Sequence, residues 1–474
     1  MPDPLHDRVQ LAEALRLIER EAEAYLATVD DSPVRPPAQP AFGGGLPSDG
    51  IGSMQSLTEL VAAAKGGATR STGPRFFHFV MGGVTPAALG ADWLTSTLNQ
   101  SAYNWVSSPL ASRIEQVTLG WMKELFGIPA EWSAVMTSAA TTANLVGLAS
   151  ARRWWGLEQG VDIDESGFSG LPAVPMFAGG YLHASAVKAA GMLGLGRKQP
   201  TILARDPAGR VDLAALEDAL RALDGKPAIV LATAGDVNTG DFDPIREMAS
   251  LAHRHRAWLH IDGAFGLYAA VAPSTRHLTD GIEAADSIAV DGHKWLNAPY
   301  DTGFAFVRDP SLHAGGFSAS AAYLGKEALE RPVFGNLASE MSRRARALPV
   351  WATLRAYGRK GYEAMLERHL ALARRVAAQV DSAPDLERLA DVPLNIVCFR
   401  FHPPEIPESE LDELNRKLGA MVLEDGRVYF GTTEYAGKVA FRPAIVNWRT
   451  TEKDVDMIVE VVRELGAKLL AVAP

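Results

Sequence analysis

The segment DSIAVDGHKWLNAPYDTGFAFV, residues 286–307, contains the residue best placed to do chemistry. Ser287–Val290 reads as a short apolar strand, and Asp291, Gly292, His293 and Lys294 follow in a turn before the apolar run Phe304–Val307. A lysine just past a strand end, amid apolar sequence, loses part of its hydration. That lowers the pKa of the amine and frees it to attack an aldehyde. In isolation, a surface lysine that happens to follow a strand would look the same. The segment AWLHIDGAFG, 257–266, ends an apolar strand on Asp262, where an unpaired carboxylate would be costly. Asp262 therefore needs a cation, of which a protonated pyridine nitrogen is one, unless it merely caps the following turn.

Two further segments offer binding groups. In TSAATTANLVGLASARR, 137–153, a strand runs into small and hydroxyl residues and then a helix, so free N–H groups and the helix dipole favour an anion. The lysine of a nucleotide-binding P-loop is missing, and many strand-to-helix turns share this composition. In GGYLHASAVKAAGMLG, 179–194, His183 lies where a strand gives way to a helix, a position also suited to a cap or a core histidine. Gly191, Gly194 and Gly196 lack dinucleotide-fingerprint spacing. Asp162 and Asp164 open like a calcium loop, but no glutamate stands where such a loop needs one, and no metal site is expected.

These segments must be held by a scaffold, and the apolar runs describe it. Val135–Thr137, Val174–Ala178, Thr201–Ala204, Ala228–Ala234, Trp258–Ile261, Ser287–Val290 and Phe304–Val307 alternate with helical patterns at 142–153, 184–193, 212–223 and 243–256. The last helix is expected to start with Asp243 as N-cap and Pro244 in the first turn. Buried strands alternating with helices predict an α/β fold whose mostly parallel sheet is covered on both faces, with ligands at the strands' carboxyl ends. The tail carries helices at 366–380, 408–422 and 452–471 and strands near 394–401 and 438–442, a smaller α+β domain. Before the sheet come amphipathic stretches at 6–29 and 54–65, joined by the connector PVRPPAQPAFGGGLPSDG. The expected division is a helical arm with connector at 1–85, a large domain at 86–364 and a small C-terminal domain at 365–474.

At 474 residues, with 47% hydrophobic and 22% charged residues, the composition is that of a globular chain of two or three domains. A net charge of −10 argues against nucleic acid or an anionic membrane as general partner. Cys398 is the only cysteine, so no internal disulfide forms. The N-terminus lacks the basic start and apolar run of a signal peptide, and no apolar stretch reaches the about 18 residues of a membrane span. A cytoplasmic protein is expected.

Taken together and in order, the motifs resemble the group II pyridoxal-phosphate decarboxylases, the family of aromatic-amino-acid, glutamate and histidine decarboxylases. HIDGAFG followed by DGHKW carries most of the likeness, supported by PRFFHFV at 74–80, YNWVSSP at 103–109, the small-hydroxyl turn at 138–144, LHASAVKA at 182–189 and SRRARAL at 342–348. The resemblance implies a type I aminotransferase-like fold and a homodimer with active sites between subunits. The implied cofactor is pyridoxal 5'-phosphate, bound as an aldimine on Lys294. Asp262 would pair with the pyridine nitrogen, His183 would stack on the ring and Ala264 would pack against its other face. Ala140 and Thr141, helped by His293, would hold the phosphate. Tyr323 resembles the tyrosine that protonates the substrate carbon after CO2 leaves, where aldehyde-forming relatives have phenylalanine. Phe79, Met81, Tyr103 and Trp105 correspond to a stretch that shapes the substrate pocket, and an aromatic L-amino acid is the favoured substrate.

Departures from the pattern are Asp236 and Val237, near the cofactor where well-known members have threonines, and Asp291, where some have asparagine. The segment between Tyr323 and Arg343 is also shorter than the mobile loop of animal members. Two other functions stay open on sequence grounds. A carbon–carbon lyase, aldolase-like or acting on a phosphorylated substrate, would use extra basic residues such as Arg343, Arg344, Arg346 and Arg442. A degenerate paralogue would bind partners without reacting.

Overall fold

The computed structural model describes residues 3–38, 43–206, 209–318 and 331–472. Seven strands form the central sheet: β1 (Ser133–Thr137), β2 (Met176–Ala178), β3 (Pro200–Ile202), β4 (Ala228–Thr233), β5 (Ala257–Asp262), β6 (Ser287–Asp291) and β7 (Gly303–Val307). Their spatial order is β1-β7-β6-β5-β4-β2-β3. Only β7 runs antiparallel to its neighbours, pairing β1 through Val135↔Ala305 and β6 through Ala289↔Ala305. β4, β5 and β6 are buried along nearly their whole length, which explains why they read as continuous apolar runs rather than alternating ones.

The helices Ala140–Glu158, Ala184–Met192, Leu213–Arg221 and Ile245–Arg254 lie between strands as expected. Asp243 is a correction. Pro244 occupies the cap position, and the Asp243 carboxylate instead accepts the N–H groups of Val211 and Thr233 at 2.8 Å each. Enclosure raises its pKa to about 6. Two helices not anticipated, Pro86–Leu98 and Pro109–Phe126, carry clear start and stop signals. Thr85 and Ser108 cap them, proline opens each, and Asn99 and Gly127 end them in the left-handed region.

A second, antiparallel sheet has the order β10-β11-β9-β8, from β8 (Leu386–Arg388), β9 (Phe399–Phe401), β10 (Thr432–Tyr435) and β11 (Lys438–Phe441). It packs with the helices Glu408–Asp425 and Glu452–Val472 around a separate apolar core that includes Phe399, Phe430 and Val462. The long helix Ala347–Ser382 joins the two bodies and is interrupted at Gly358. Near the N-terminus, the helices Leu11–Thr28 and Ser53–Gly67 bury no residue completely within the single chain.

Candidate active site

The carboxyl ends of β1, β2, β4, β5 and β6 share one edge of the sheet, because these five strands are parallel. The chain leaves each of them into a turn that carries a polar residue singled out above. Asp262 is the last residue of β5 and Asp291 the last of β6. Lys294 follows Asp291 by three positions, and its Nζ lies 3.1 Å from Asp291 Oδ2. The segment Phe79–Gly83 crosses directly over this turn. Gly82 N donates to His293 O at 3.2 Å, and a Cβ on Gly82 would sit 1.9 Å from Lys294 O, so only glycine permits the crossing.

Asp262 is buried and bonded on both oxygens. Oδ2 accepts from Asn144 Nδ2 at 2.9 Å and lies 3.4 Å from Ser185 Oγ, while Oδ1 accepts from Ala264 N at 3.2 Å. No cationic side chain pairs with it among the described residues. His183 begins the helix Ala184–Met192 and accepts the Ser185 N–H on Nδ1 at 3.2 Å, with Ser185 Oγ 2.7 Å away. Nδ1 is thus an acceptor, and the ring proton sits on Nε2. Desolvation lowers the His183 pKa, outweighing the opposite pull of Asp262. Through Ser185, which contacts both, the ring is linked to Asp262: Ser185 Oγ is 2.7 Å from His183 Nδ1 and 3.4 Å from Asp262 Oδ2.

At the end of β1 the helix Ala140–Glu158 starts without a side-chain cap. Its first N–H, that of Ala140, donates to Asp291 Oδ1 at 2.5 Å, and Thr141 follows, half-buried, in the same turn. The sequence placed an anion at this helix start, and within the chain an anion, the Asp291 carboxylate, is what meets it. His293 Nε2 lies 3.3 Å from the same oxygen, while its Nδ1 accepts from Thr302 N. Burial lowers the His293 pKa, and Tyr300 stacks on its ring at 4.1 Å between centroids.

Other expected site residues are placed differently. Asp236 is buried, and both its oxygens are engaged by its own turn, through the N–H groups of Asn238, Thr239 and Asp241 and the Thr239 hydroxyl. Phe79 is 58% exposed and stacked on His78, and Met81 is half-buried beside it. Tyr103 and Trp105 contact the segment 331–343: Gly335 N donates to Tyr103 O, and the Arg331 guanidinium lies 5.6 Å from the Trp105 ring centroid. Tyr323 lies outside the described residues.

Of the basic residues considered for a phosphorylated substrate, three are committed elsewhere. Arg343 pairs with Glu115, Arg344 with Asp92 and Arg346 with Asp301. Arg442 has no carboxylate partner among the described residues. It donates to Val237 O at 3.0 Å, its Nε is buried without a partner, and burial lowers its pKa.

Asn144 and Ser185 escaped the sequence reading. A signal was present, since Asn144 is a lone amide in the apolar stretch ANLVGLA, where a buried polar group demands a partner. The donor set fits pyridoxal 5'-phosphate: a carboxylate lacking a cation for the ring nitrogen, an amine for the aldehyde, a helix start that meets an anion for the phosphate and an imidazole linked through Ser185 to that carboxylate.

Known proteins agree. Residues 55–402 match the pyridoxal-dependent decarboxylase conserved domain. The chain is 30% identical over 403 residues to the aromatic-L-amino-acid decarboxylase of Bacillus atrophaeus, covering 84% of this chain and 82% of that protein. It is 30% identical over 430 residues to the acidic amino acid decarboxylase GADL1 of Mus musculus, covering 87% and 77% respectively. Phenylacetaldehyde synthase of Arabidopsis thaliana is 26% identical over 483 residues, with 98% and 97% covered. Among solved structures, mouse CSAD matches with a TM-score of 0.86 at 25% identity, spanning 98% of this chain and 99% of that one. Oryza sativa TDC with PLP and tryptamine reaches a TM-score of 0.89 at 24% identity, spanning 99% and 100%, a likeness of fold.

Proposed function

The chain belongs to the pyridoxal-dependent decarboxylases, and from that premise we propose that it removes CO2 from an L-amino acid with Lys294 as the amine that holds the cofactor. The observation that carries this reading is Asp262, a buried carboxylate with no cationic partner among the described residues, beside the lysine turn. When bound, the cofactor supplies an electron sink for the pair released as CO2 departs. Asp262 keeps the ring nitrogen protonated, and His183 and Ala264 fix the ring between them. Ala140, Thr141 and His293 hold the phosphate. Lys294 would supply the amine that holds the cofactor's aldehyde carbon. Tyr323 is the proposed proton donor to the substrate carbon, on sequence grounds.

An aromatic L-amino acid is the proposed substrate. Phe79 and Met81, on the segment crossing the lysine turn, offer apolar surface, and the Bacillus atrophaeus relative bears an aromatic decarboxylase name. The free charge of Arg442 suits the carboxylate of the incoming amino acid. A homodimer accounts for the exposed apolar side chains concentrated between residues 5 and 110, among them Val9, Leu15, Leu94 and Val106. Tyr103 and Trp105 lie in the same region and would then complete a pocket across the interface. No described helix is long and apolar enough to cross a membrane, which accords with the proposed cytoplasmic location. The domain limits at 86–364 and 365–474 remain our proposal for the chain's division.

The test is a CO2-release assay over a panel of L-amino acids, using protein reconstituted with pyridoxal 5'-phosphate alongside Lys294→Ala. Lysine-dependent CO2 with the matching aromatic amine is expected. Cofactor binding with no CO2 from any amino acid would overturn the reading, and release from acidic amino acids alone would overturn the aromatic assignment.

A further inference from the structure

Behind Asp262 lies a chain of hydrogen bonds that the proposed chemistry does not use. Trp258 Nε1 donates to Ser287 Oγ at 2.9 Å, and Ser287 Oγ lies 2.8 Å from His260 Nδ1. His260 Nε2 lies 2.8 Å from Asn144 Oδ1. Asn144 Nδ2 then donates both to Asp262 Oδ2 and to Ser185 Oγ, at 2.9 and 3.1 Å. Every member is buried, and Ser287, His260 and Asn144 have no exposed surface at all.

The proton positions in this chain follow from the groups themselves. An indole N–H only donates, and an amide oxygen only accepts, so Nε2 of His260 carries a proton. Burial pushes the His260 pKa down to about 4, which leaves the ring a single proton near neutrality and makes Nδ1 an acceptor for the Ser287 hydroxyl. All the hydrogens therefore point one way, from Trp258 toward Asp262. An inverted Asn144 amide would set Oδ1 against the Asp262 carboxylate and N–H against N–H at His260. The fold also makes room for the ring: a Cβ on Gly147 would sit 2.5 Å from His260 Cε1, so the helix Ala140–Glu158 admits an imidazole only over glycine.

We propose that His260 is a positioning residue for the cofactor, holding the Asn144 amide so that both its N–H groups face the acidic side and pin Asp262 through Oδ2, leaving Oδ1 for the ring nitrogen. This rests on the assignment of Asp262 made above. His260 touches neither cofactor nor substrate; it acts through Asn144. Breaking the chain leaves a buried polar group without its partner, a loss worth on the order of a tenfold change in an equilibrium constant.

The experiment compares the full-length wild type with His260→Leu, His260→Gln and Ser287→Ala, titrating each with pyridoxal 5'-phosphate and recording the visible absorption band. Circular dichroism checks folding. For His260→Leu, binding should weaken on the order of tenfold, the band should shift, and kcat should fall with KM little changed. His260→Gln, whose amide can both donate to Asn144 and accept from Ser287, should recover most of each property. Ser287→Ala should move them in the same direction by less. A folded His260→Leu with wild-type affinity and spectrum would overturn the proposal, as would a folded His260→Gln no better than leucine. If neither His260 variant folds, an unchanged spectrum in Ser287→Ala overturns it. A wild type that develops no band would instead refute the cofactor reading on which the proposal stands.

Discussion

Asp291→Asn should tighten the binding of pyridoxal 5'-phosphate. In the chain alone, Asp291 accepts the first N–H of the helix Ala140–Glu158 at 2.5 Å and holds the Lys294 ammonium at 3.1 Å. It is 3% exposed, so water does little to weaken either contact. A phosphate that takes the Ala140 N–H must displace this carboxylate, and an aldehyde that takes the Lys294 amine removes its cation. Asparagine keeps an acceptor for Ala140, but a neutral hydrogen bond is roughly half as strong as a charge-assisted one. The difference is about 1–1.5 kcal/mol, so the dissociation constant should fall by on the order of tenfold. Loss of the charge that holds the Lys294 side chain acts with the same sign, because Lys294 must leave Asp291 to reach the aldehyde. Equilibrium dialysis or quenching of the intrinsic tryptophan fluorescence would measure the change without any turnover. Equal or weaker binding by a folded Asp291→Asn would show that Asp291 assists the cofactor rather than competing with it.

Other consequences concern stability and product. His313 and His369 are fully enclosed, with pKa values pushed by burial to about 4 and about 3, and His260 behaves likewise at about 4. The unfolded chain protonates such rings near about 6.5, so it binds more protons than the folded one below that pH, and stability falls as the medium is acidified toward about 4, by up to about 1.4 kcal/mol per pH unit for each ring. Asp243, raised to about 6, acts oppositely between its unfolded and folded values and offsets about one ring. The melting temperature should therefore hold steady above neutrality and drop between pH 6.5 and 5; a flat profile would contradict these histidine assignments. Arg343→Met strands Glu115, whose side chain is 1% exposed, and should cost about 3–5 kcal/mol, with much of the loss recovered on adding Glu115→Gln. Unchanged melting of Arg343→Met with selective loss of activity would instead make Arg343 a pocket residue and reopen the lyase reading. Tyr323→Phe should divert product from amine to aldehyde, with dioxygen consumed and ammonia and hydrogen peroxide formed; amine as sole product would remove Tyr323 from its proposed role.

The pattern of short apolar runs and intervening helices was enough to predict the parallel sheet and the edge at which Asp262, Asp291 and Lys294 gather. Strand burial leaves a local mark, and residues just past strand ends share a side whenever the strands are parallel. Lys294 and Asp262 could be picked out for the same reason, as polar residues where apolar runs stop. Pairing is a different matter. The antiparallel insertion of β7 between β1 and β6 joins residues more than 150 positions apart for Val135 and Ala305, and no local pattern encodes it. Asp236 and Asp291 look alike in sequence, each an acid after an apolar strand, yet one organises its own turn and the other holds the lysine and a helix start. Arg343 and Arg442 are the same residue type in sequence, and only the position of Glu115 separates the one paired with a carboxylate from the one that is not. The Trp258–Asp262 chain depends on the tertiary fold in the same way. Its hydrogen bonds need atoms from three elements within about 3 Å of one another and correctly oriented, a condition met only once the helix Ala140–Glu158 has packed across β5 and β6 at Gly147.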